Sequence, residues 1–238
     1  MCGIENNILL SDLHREAGIC IGCGSSVRMR EIVQAVNMIV KKNSQRVLSV
    51  VGLSDAEVLS NYLSSRKDLI YTNTFIDDDP ILDISDPTDF WRGRFDIVIS
   101  SDVFEHVMPP LSKSLEGVAA LLAPDGWLVL TMPWTKSGAS VEHYPWMKSY
   151  EVDDAGQVIA TKIDGQIIII ENPIFHGGPG KTLEMRFISI YSLIDNLEIC
   201  GFKSIEVLEQ DSLEVGIKRD DGNIGTILAQ YRVLERPQ

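Results

Sequence analysis

The chain has 238 residues, of which 45% are apolar and 7% aromatic, and this is enough for one α/β domain with a full core but not for two large domains. Its 21 basic and 34 acidic residues give a formal net charge of -13, which argues against a broad nucleic-acid or anionic-membrane surface. Because no apolar run approaches the length of a spanning helix and the first residues lack signal-peptide features, we expect no membrane span and a cytoplasmic location.

Residues 1–45 are predicted to form an N-terminal extension. It contains Cys20-Ile21-Gly22-Cys23-Gly24, which has the shape of one zinc knuckle. A tetrahedral site needs two more ligands, for which Cys2 and His14 are the nearest candidates; the alternative is two thiols in a loop. The four cysteines have no disulfide-framework spacing, as expected in a reducing compartment. Apolar residues at helical spacing then predict a covering helix from Val27 to Lys41.

The segment from Arg46 to Tyr62 predicts a buried strand (Val47 to Val51), a tight turn at Gly52-Leu53-Ser54 and a helix. We expect Ser54 or Asp55 to cap this helix, with Glu57 completing a capping box. A glycine at a strand end before a helix is a place where a nucleotide or carboxylate can meet free backbone N–H groups. Since every strand-turn-helix unit needs such a turn, the purely structural interpretation is equally compatible with this segment.

Two further short strands are predicted to end in polar residues. Leu69 to Tyr71 leads into Thr72-Asn73-Thr74, and the apolar pair Ile81-Leu82 leads into Asp83. The carboxylate of Asp83 can accept hydrogen bonds from an amine or hydroxyl of a ligand, although an aspartate here can also cap a turn. Its position after a strand favours ligand binding.

The segment from Arg94 to Trp134 contains a complete strand, helix and strand. Phe95 to Ile99 is a buried strand that stops at Ser100-Ser101-Asp102, a helix follows two prolines, and Trp127 to Met132 is a second strand. Such a unit makes a right-handed crossover between parallel strands, so the polar tip lies at the carboxyl edge of the sheet, where open parallel sheets bind ligands.

These strand ends, together with Phe95-Asp96-Ile97-Val98, Asp102-Val103-Phe104-Glu105-His106-Val107 and Leu121 to Leu128, resemble the motifs of class I S-adenosylmethionine-dependent methyltransferases, in particular type 11-like members. The resemblance covers roughly Arg46 to Pro133. It implies an α/β fold with a Rossmann-like seven-stranded sheet, six strands parallel and one antiparallel, sandwiched by helices. It also implies S-adenosylmethionine as cofactor, lying across the carboxyl ends of the first four strands.

Carried over residue by residue, the resemblance implies four groups of cofactor-binding residues. They are Val51, Gly52 and Leu53 at the methionine part, Asn73 and Thr74 at the ribose, Asp83 and Ile84 at the adenine, and Ser100, Ser101 and Asp102 at the sulfonium. The chain departs from the family pattern because the first strand has neither a terminal acid nor several following glycines, and Asn73 or Thr74 replaces the usual ribose-binding acid. A methyltransferase-like binding or scaffold protein without catalysis is therefore the alternative; a nicotinamide-dependent oxidoreductase is disfavoured because the three-glycine fingerprint is missing.

Residues 135–188 are predicted to be an insertion that serves as a substrate lid on the methyltransferase domain of residues 46–238. Asp164-Gly165 between Gln157 to Ile163 and Gln166 to Ile170 predicts a β-hairpin. A glycine-rich loop, His176 to Gly180, is expected to close over the pocket. A helix up to Cys200, a strand at Ile205 to Leu208 and a last strand from Thr226 to Val233 complete the domain.

Methyl transfer from a sulfonium is an in-line displacement, and a hydroxyl or amine acceptor needs a base to take its proton. His143 and His106 are the candidate catalytic residues, His176 is a weaker candidate, and Glu184 is expected to pair with Arg186 or a substrate group. No metal ligand is assigned at the catalytic site. The sequence thus predicts methyl transfer to a hydroxyl or amine of a small-molecule or glycan substrate, and it leaves the identity of the acceptor and the oligomeric state open.

Overall fold

A computed structural model describes residues 1–5, 7–176, 182–219 and 225–232. The helices are α1 (Val27–Lys42), α2 (Glu57–Ser64), α3 (Leu111–Leu121) and α4 (Ile190–Ile199). The strands are β1 (Leu48–Leu53), β2 (Leu69–Thr74), β3 (Phe95–Ser101), β4 (Leu122–Thr131), β5 (Trp134–Thr135), β6 (Val141–Glu142), β7 (Met147–Val152), β8 (Val158–Lys162), β9 (Ile167–Ile170), β10 (Arg186–Ser189), β11 (Phe202–Leu208) and β12 (Thr226–Tyr231). Among these residues, none of the helices is both long and apolar enough to cross a membrane.

The central sheet has the strand order β11-β12-β4-β3-β1-β2. Strands β1 to β4 are mutually parallel, and β12 is antiparallel to both of its neighbours. This confirms the predicted Rossmann-like α/β fold. In the described part of the chain the sheet has six strands instead of seven, since the expected third strand is reduced to one bridge between Phe75 and Ile81. The apolar run there is short and follows Pro80, which has no N–H to donate to a ladder.

Two apolar layers cover the sheet. Helices α3 and α4 contribute Leu115 and Leu193 to one layer, while α1 and α2 contribute Ile32 and Leu59 to the other. The side chains of Ile97, Val98 and Ile99 in β3 are completely buried, as expected for a parallel strand covered on both faces. The helix predicted from Val27 is confirmed, and the Ser26 hydroxyl caps it by accepting a hydrogen bond from the N–H of Met29.

The carboxyl ends of β1, β2 and β3 lie in register. Gly52 is opposite Asn73 and Ile99, and Leu53 is opposite Thr74 and Ser100. Strand β1 continues through Leu53, so the turn falls at Ser54 and Asp55. The turn predicted to begin at Gly52 was therefore placed two residues too early.

The predicted cap of α2 is also wrong. The N-cap residue is Ala56, and no side-chain cap bond occurs there within the described residues. Asp55 is unavailable as a cap because its carboxylate turns inward and accepts a hydrogen bond from the Tyr71 hydroxyl.

The segment of residues 135–188 builds two small sheets beside the end of β3. Strands β8 and β9 form the predicted hairpin, and β7 extends it to three strands. A second small sheet has the order β5-β10-β6. Tyr144, Met147 and Leu183 of this segment form an apolar cluster against which Met108 packs. The predicted loop at residues 177–180 and the last predicted strand residue, Val233, lie outside the described residues.

Candidate functional site

Asp102, the residue directly after β3, is held by two arginines from the N-terminal part of the chain. Its backbone adopts a left-handed φ of 55° and its N–H donates to the Thr131 carbonyl at 2.9 Å. The Nη1 of Arg15 donates to Asp102 Oδ2 at 2.8 Å, and the Nε of Arg28 lies 3.4 Å from the same oxygen. Left-handed non-glycine residues are concentrated at functional sites, where packing compensates for their strain. The N-terminal segment therefore covers the end of β3.

Glu105 is a buried acid three residues beyond Asp102, in the turn that follows β3. Only 1% of its surface is exposed, and neither carboxyl oxygen has a hydrogen-bond partner among the described residues. Burial, reinforced by the negative charge of Asp102, raises the pKa of Glu105 to about 8. The carboxyl group is thus neutral near pH 7 and can donate a hydrogen bond.

A second buried acid lies at the end of β1. Asp55 accepts a hydrogen bond from the Tyr71 hydroxyl at 2.7 Å through Oδ2, while its Oδ1 has no partner in the described part of the chain. Burial raises the pKa of Asp55 to about 7. A Cβ on Gly52 would overlap with both oxygens of this hydrogen bond, so glycine is required there by the Asp55–Tyr71 pair.

The two residues predicted to bind the ribose are bonded to the first turn. The Asn73 amide donates to the Asp55 carbonyl and accepts from the Asp55 N–H, both at 2.9 Å, and the Thr74 hydroxyl donates to the Gly52 carbonyl at 3.0 Å. Thr74 is buried, whereas Asn73 is partly exposed and its amide retains one hydrogen and one lone pair. Asn73 is consequently the better placed of the two for a ribose hydroxyl.

The predicted adenine residues lie where the short third apolar run ends. Asp83 is exposed, and its Oδ1 accepts a hydrogen bond from the Ser85 N–H at 2.7 Å, so the turn-capping interpretation is correct for one oxygen. Ile84 is buried, and its carbonyl occupies the space that a side chain at Gly117 of α3 would need. Gly117 thereby lets this segment lie directly on α3.

Three histidines and one glutamate form a connected histidine array, defined as His106, His143, His176 and Glu184. His106 Nδ1 lies 2.8 Å from the Leu183 carbonyl oxygen, which can only accept, so Nδ1 carries the hydrogen and Nε2 keeps its lone pair. Glu184 bonds His143 Nε2 at 3.1 Å and His176 Nδ1 at 3.3 Å, and the rings of His176 and His106 are 5.6 Å apart. Burial lowers the pKa of His106, which keeps its imidazole neutral. The two predicted bases are therefore brought into one array.

The expected Glu184–Arg186 pair is wrong. Arg186 is almost fully buried, and its Nε donates to Glu142 at 2.7 Å while its Nη1 donates to the Phe104 carbonyl. A guanidinium has donors on several sides and can tie the insertion to the turn after β3 at the same time. Glu184 instead bonds to His143 and His176.

Two groups of described residues could hold a metal ion. Asp102, Glu105 and His176 place ligand atoms within 4.8 Å of one another, but Asp102 is already paired with the two arginines. The second group is Cys2, Cys20 and Cys23, also within 4.8 Å. His14 is exposed and lies outside this group, so the candidate four-ligand set from the sequence is not assembled.

The polar groups at the sheet edge suit S-adenosylmethionine. Asp55 Oδ1, Ser100 Oγ and the Glu105 carboxyl are buried hydrogen-bonding atoms without partners among the described residues. Buried polar groups normally have partners, so these three side chains are candidate contacts for a ligand that has hydroxyl and amine groups. Arg15 and Arg28 are the cations at this edge, where both pair with Asp102. Sequence patterns did not identify Arg15 or Tyr71 as site residues, because their partners are remote in the chain.

Comparisons with known proteins agree with this geometry. The family described as "methyltransferase domain" matches residues 10–160. A search of curated proteins gives no match. The fold is similar to the CurJ carbon methyltransferase, with a TM-score of 0.55, 17% identity and coverage of 88% of this chain, which spans 56% of that protein.

Two further solved structures are similar. The N-terminal domain of EvdMO1, crystallised in the presence of SAH and D-fucose, has a TM-score of 0.52, 14% identity and coverage of 85% of this chain and 84% of that one. The [4+2]-cyclase SpnF has a TM-score of 0.50, 9% identity and coverage of 84% and 80%. At these identities the structures support the fold, whereas the family match spans more than half of the chain. The chain therefore belongs to the methyltransferase domain family and is a class I S-adenosylmethionine-dependent methyltransferase.

Proposed function

We propose that the chain transfers the methyl group of S-adenosylmethionine to a hydroxyl or amine of a small-molecule or glycan acceptor, which residues 135–188 help to bind. The observation that carries this proposal is the histidine array. It runs from His106, next to Glu105 at the end of β3, through His176 and Glu184 to His143 in the insertion. Bases and hydrogen-bonding groups thus lie beside the expected reactive end of the cofactor.

The cofactor supplies an electrophilic methyl group on a sulfonium. The predicted contacts are the backbone of Val51, Gly52 and Leu53, the side chains of Asn73 and Asp83, and the tip Ser100, Ser101 and Asp102, with Thr74 and Ile84 shaping the site from beneath. The methionine part of the cofactor carries both an ammonium and a carboxylate. These charges suit the ionic groups at the tip, which are Asp102, Arg15 and Arg28. Asn73 provides neutral hydrogen bonds where charge-assisted ones are about twice as strong. We therefore expect modest cofactor affinity.

His106 is the better placed of the two candidate bases. Its Nδ1 hydrogen is committed to Leu183, its pKa is lowered by burial, and its Nε2 lone pair is available. In the transfer step the acceptor oxygen or nitrogen forms a bond to the methyl carbon, the carbon–sulfur bond breaks, and the acceptor proton passes to Nε2. His143 would act with Glu184 as its orienting partner.

The acceptor class rests on the side chains of this chain. Glu142, His143, His176 and Glu184 offer hydrogen-bond donors and acceptors of the kind that bind hydroxyl groups. The similar structures have names that include a carbon methyltransferase and a domain studied with D-fucose, so their names do not select one acceptor class.

Calorimetry with S-adenosylhomocysteine tests the cofactor part of the proposal. Saturable binding in the micromolar range is expected. Absence of binding at high micromolar concentration, with the protein folded by circular dichroism, would contradict it.

Labelled S-adenosylmethionine tests the acceptor part with hydroxyl and amine compounds, each beside its methyl-capped counterpart. We expect transfer only to the uncapped compound, and a loss of about 10²–10⁴-fold in rate for His106→Gln or His143→Gln, whichever is the base. His14→Gln is the matched control, because His14 is exposed and outside the array. Transfer to carbon alone, or full activity in both array variants, would refute this assignment.

A further inference from the structure

Three cysteine thiols from two separate segments converge near the N-terminus. The sulfur of Cys2 lies 3.5 Å from that of Cys20, although 18 positions separate them in the chain. Cys23 completes a group in which all three sulfurs are within 4.8 Å of one another. Zinc–sulfur bonds of about 2.3 Å at tetrahedral angles place ligand sulfurs about 3.8 Å apart, so the group has nearly the required spacing.

In both segments a left-handed glycine follows the cysteine. Gly3 follows Cys2 with φ of 74°, and Gly24 follows Cys23 with φ of 73°. The Gly24 N–H donates to the Cys20 carbonyl at 2.8 Å, which closes the turn between Cys20 and Cys23. Left-handed glycines let the chain fold back sharply behind each sulfur. The two segments thus share a left-handed glycine after the cysteine, and the Cys20–Cys23 segment also closes a turn by a hydrogen bond.

Gly22 makes room for this approach. A Cβ at Gly22 would lie 3.1 Å from the Cys2 sulfur and would overlap with the Ile4 side chain. On the opposite side, Arg30 holds the turn by donating to the Ser25 carbonyl at 2.7 Å and to the Gly18 carbonyl at 2.9 Å. The guanidinium is also a cation that interacts electrostatically with Cys20 and Cys23. The Arg30 side chain, from outside the Cys20–Cys23 turn, therefore helps to hold the cluster in place.

A disulfide would not account for three thiols. It would use two sulfurs at about 2.05 Å and leave the third without a role. Three thiolates are a soft ligand set that selects zinc over hard cations such as magnesium or calcium. The sulfurs also border a cavity of about 450 Å³, lined by residues that include Ile8, Leu13 and Val215. A fourth ligand can approach from that cavity.

We propose that Cys2, Cys20 and Cys23 bind one zinc ion whose fourth coordination position faces this cavity. The metal closes the loop between Cys2 and Cys20, which contains Arg15. Since Arg15 pairs with Asp102 at the end of β3, the ion fastens the N-terminal segment over the sheet edge. The three ligands do not touch the groups proposed for methyl transfer.

The test uses the full chain, reduced under anaerobic conditions, with zinc and cobalt as probes. We expect one zinc per chain by mass spectrometry of the metal, and near-ultraviolet thiolate-to-metal absorbance after exchange with Co²⁺. Cys2→Ser and Cys23→Ser should each lose the bound zinc and this absorbance. Cys200→Ser, which changes a half-buried thiol beside the Ser112 carbonyl, should keep both.

Several results would overturn the proposal. The first is that the folded, reduced wild-type chain takes up neither metal. The second is that the cobalt-loaded chain shows no thiolate-to-metal band. The third is that Cys2→Ser and Cys23→Ser, as separate variants, both keep the zinc content of the wild type. Cys2 is exposed, so its substitution leaves the core intact and a loss of zinc in that variant is not a folding effect. The zinc measurement is independent of cofactor binding, so failure of one assignment leaves the other standing.

Discussion

Replacing Asp55 with asparagine should raise the stability of the protein at alkaline pH. The pKa of this carboxyl group is raised from 3.8 to about 7 because the side chain is buried. Below pH 3.8 the carboxyl group is protonated in both states, and its contribution to stability is fully present. As the pH rises from 3.8 to 7, the group ionises in the unfolded chain but not yet in the folded chain, so the free energy of unfolding falls. A shift of about three units at 1.36 kcal/mol each corresponds to a total loss of about 4 kcal/mol.

Asparagine stays neutral and keeps an oxygen that can accept the hydrogen bond from Tyr71. Between pH 5.5 and pH 8.5, the wild type should therefore lose about 2 kcal/mol of its free energy of unfolding relative to Asp55→Asn. The remainder of the wild-type loss falls below pH 5.5. Urea denaturation at both pH values measures this difference. Asp86→Asn, at an exposed aspartate, is the matched control and should show no such change. An equal stability difference at the two pH values would refute the raised pKa of Asp55.

Three other substitutions give separate tests. Asp83→Ala should weaken S-adenosylhomocysteine binding about tenfold by calorimetry, through loss of a hydrogen bond to a charged group, while Asp86→Ala should not; equal affinities would remove Asp83 from the adenine site. Gly117→Ala should lower the free energy of unfolding by about 1–3 kcal/mol in urea, because its methyl group overlaps with the Ile84 carbonyl, and wild-type stability would show that α3 does not press on this segment. For Glu105, whose pKa is about 8, the affinity ratio of S-adenosylmethionine to S-adenosylhomocysteine should rise as the pH rises through 8, since the ionised carboxylate favours the sulfonium. Glu105→Gln should make this ratio independent of pH, and a persistent pH dependence would assign it to another group.

The sequence alone predicted the parts of the fold that depend on local pattern. Continuous apolar runs identified β1, β3 and β4 as buried parallel strands, and Asp164-Gly165 identified the hairpin, because burial on both faces and a tight turn each leave a signal within a few residues. Parallel pairing then placed Gly52, Asn73 and Ser100 at one edge, as the strand register confirms. The third strand, predicted from two apolar residues after Pro80, was wrong, because the described residues form one bridge there instead of a strand.

The tertiary structure decided which polar groups meet at that edge. Arg15 and Asp102 are 87 positions apart, and His106 and Leu183 are 77 apart, so no local pattern relates them. Asp55 had the sequence position of a helix cap but is a buried partner of Tyr71 with a raised pKa, because packing on β2 offers its carboxyl group a hydroxyl. Residue type and spacing therefore determined the strands and the edge to which the cofactor is expected to bind. The charge states and partners at that edge depend on burial and on long-range packing, which exist only in the folded chain.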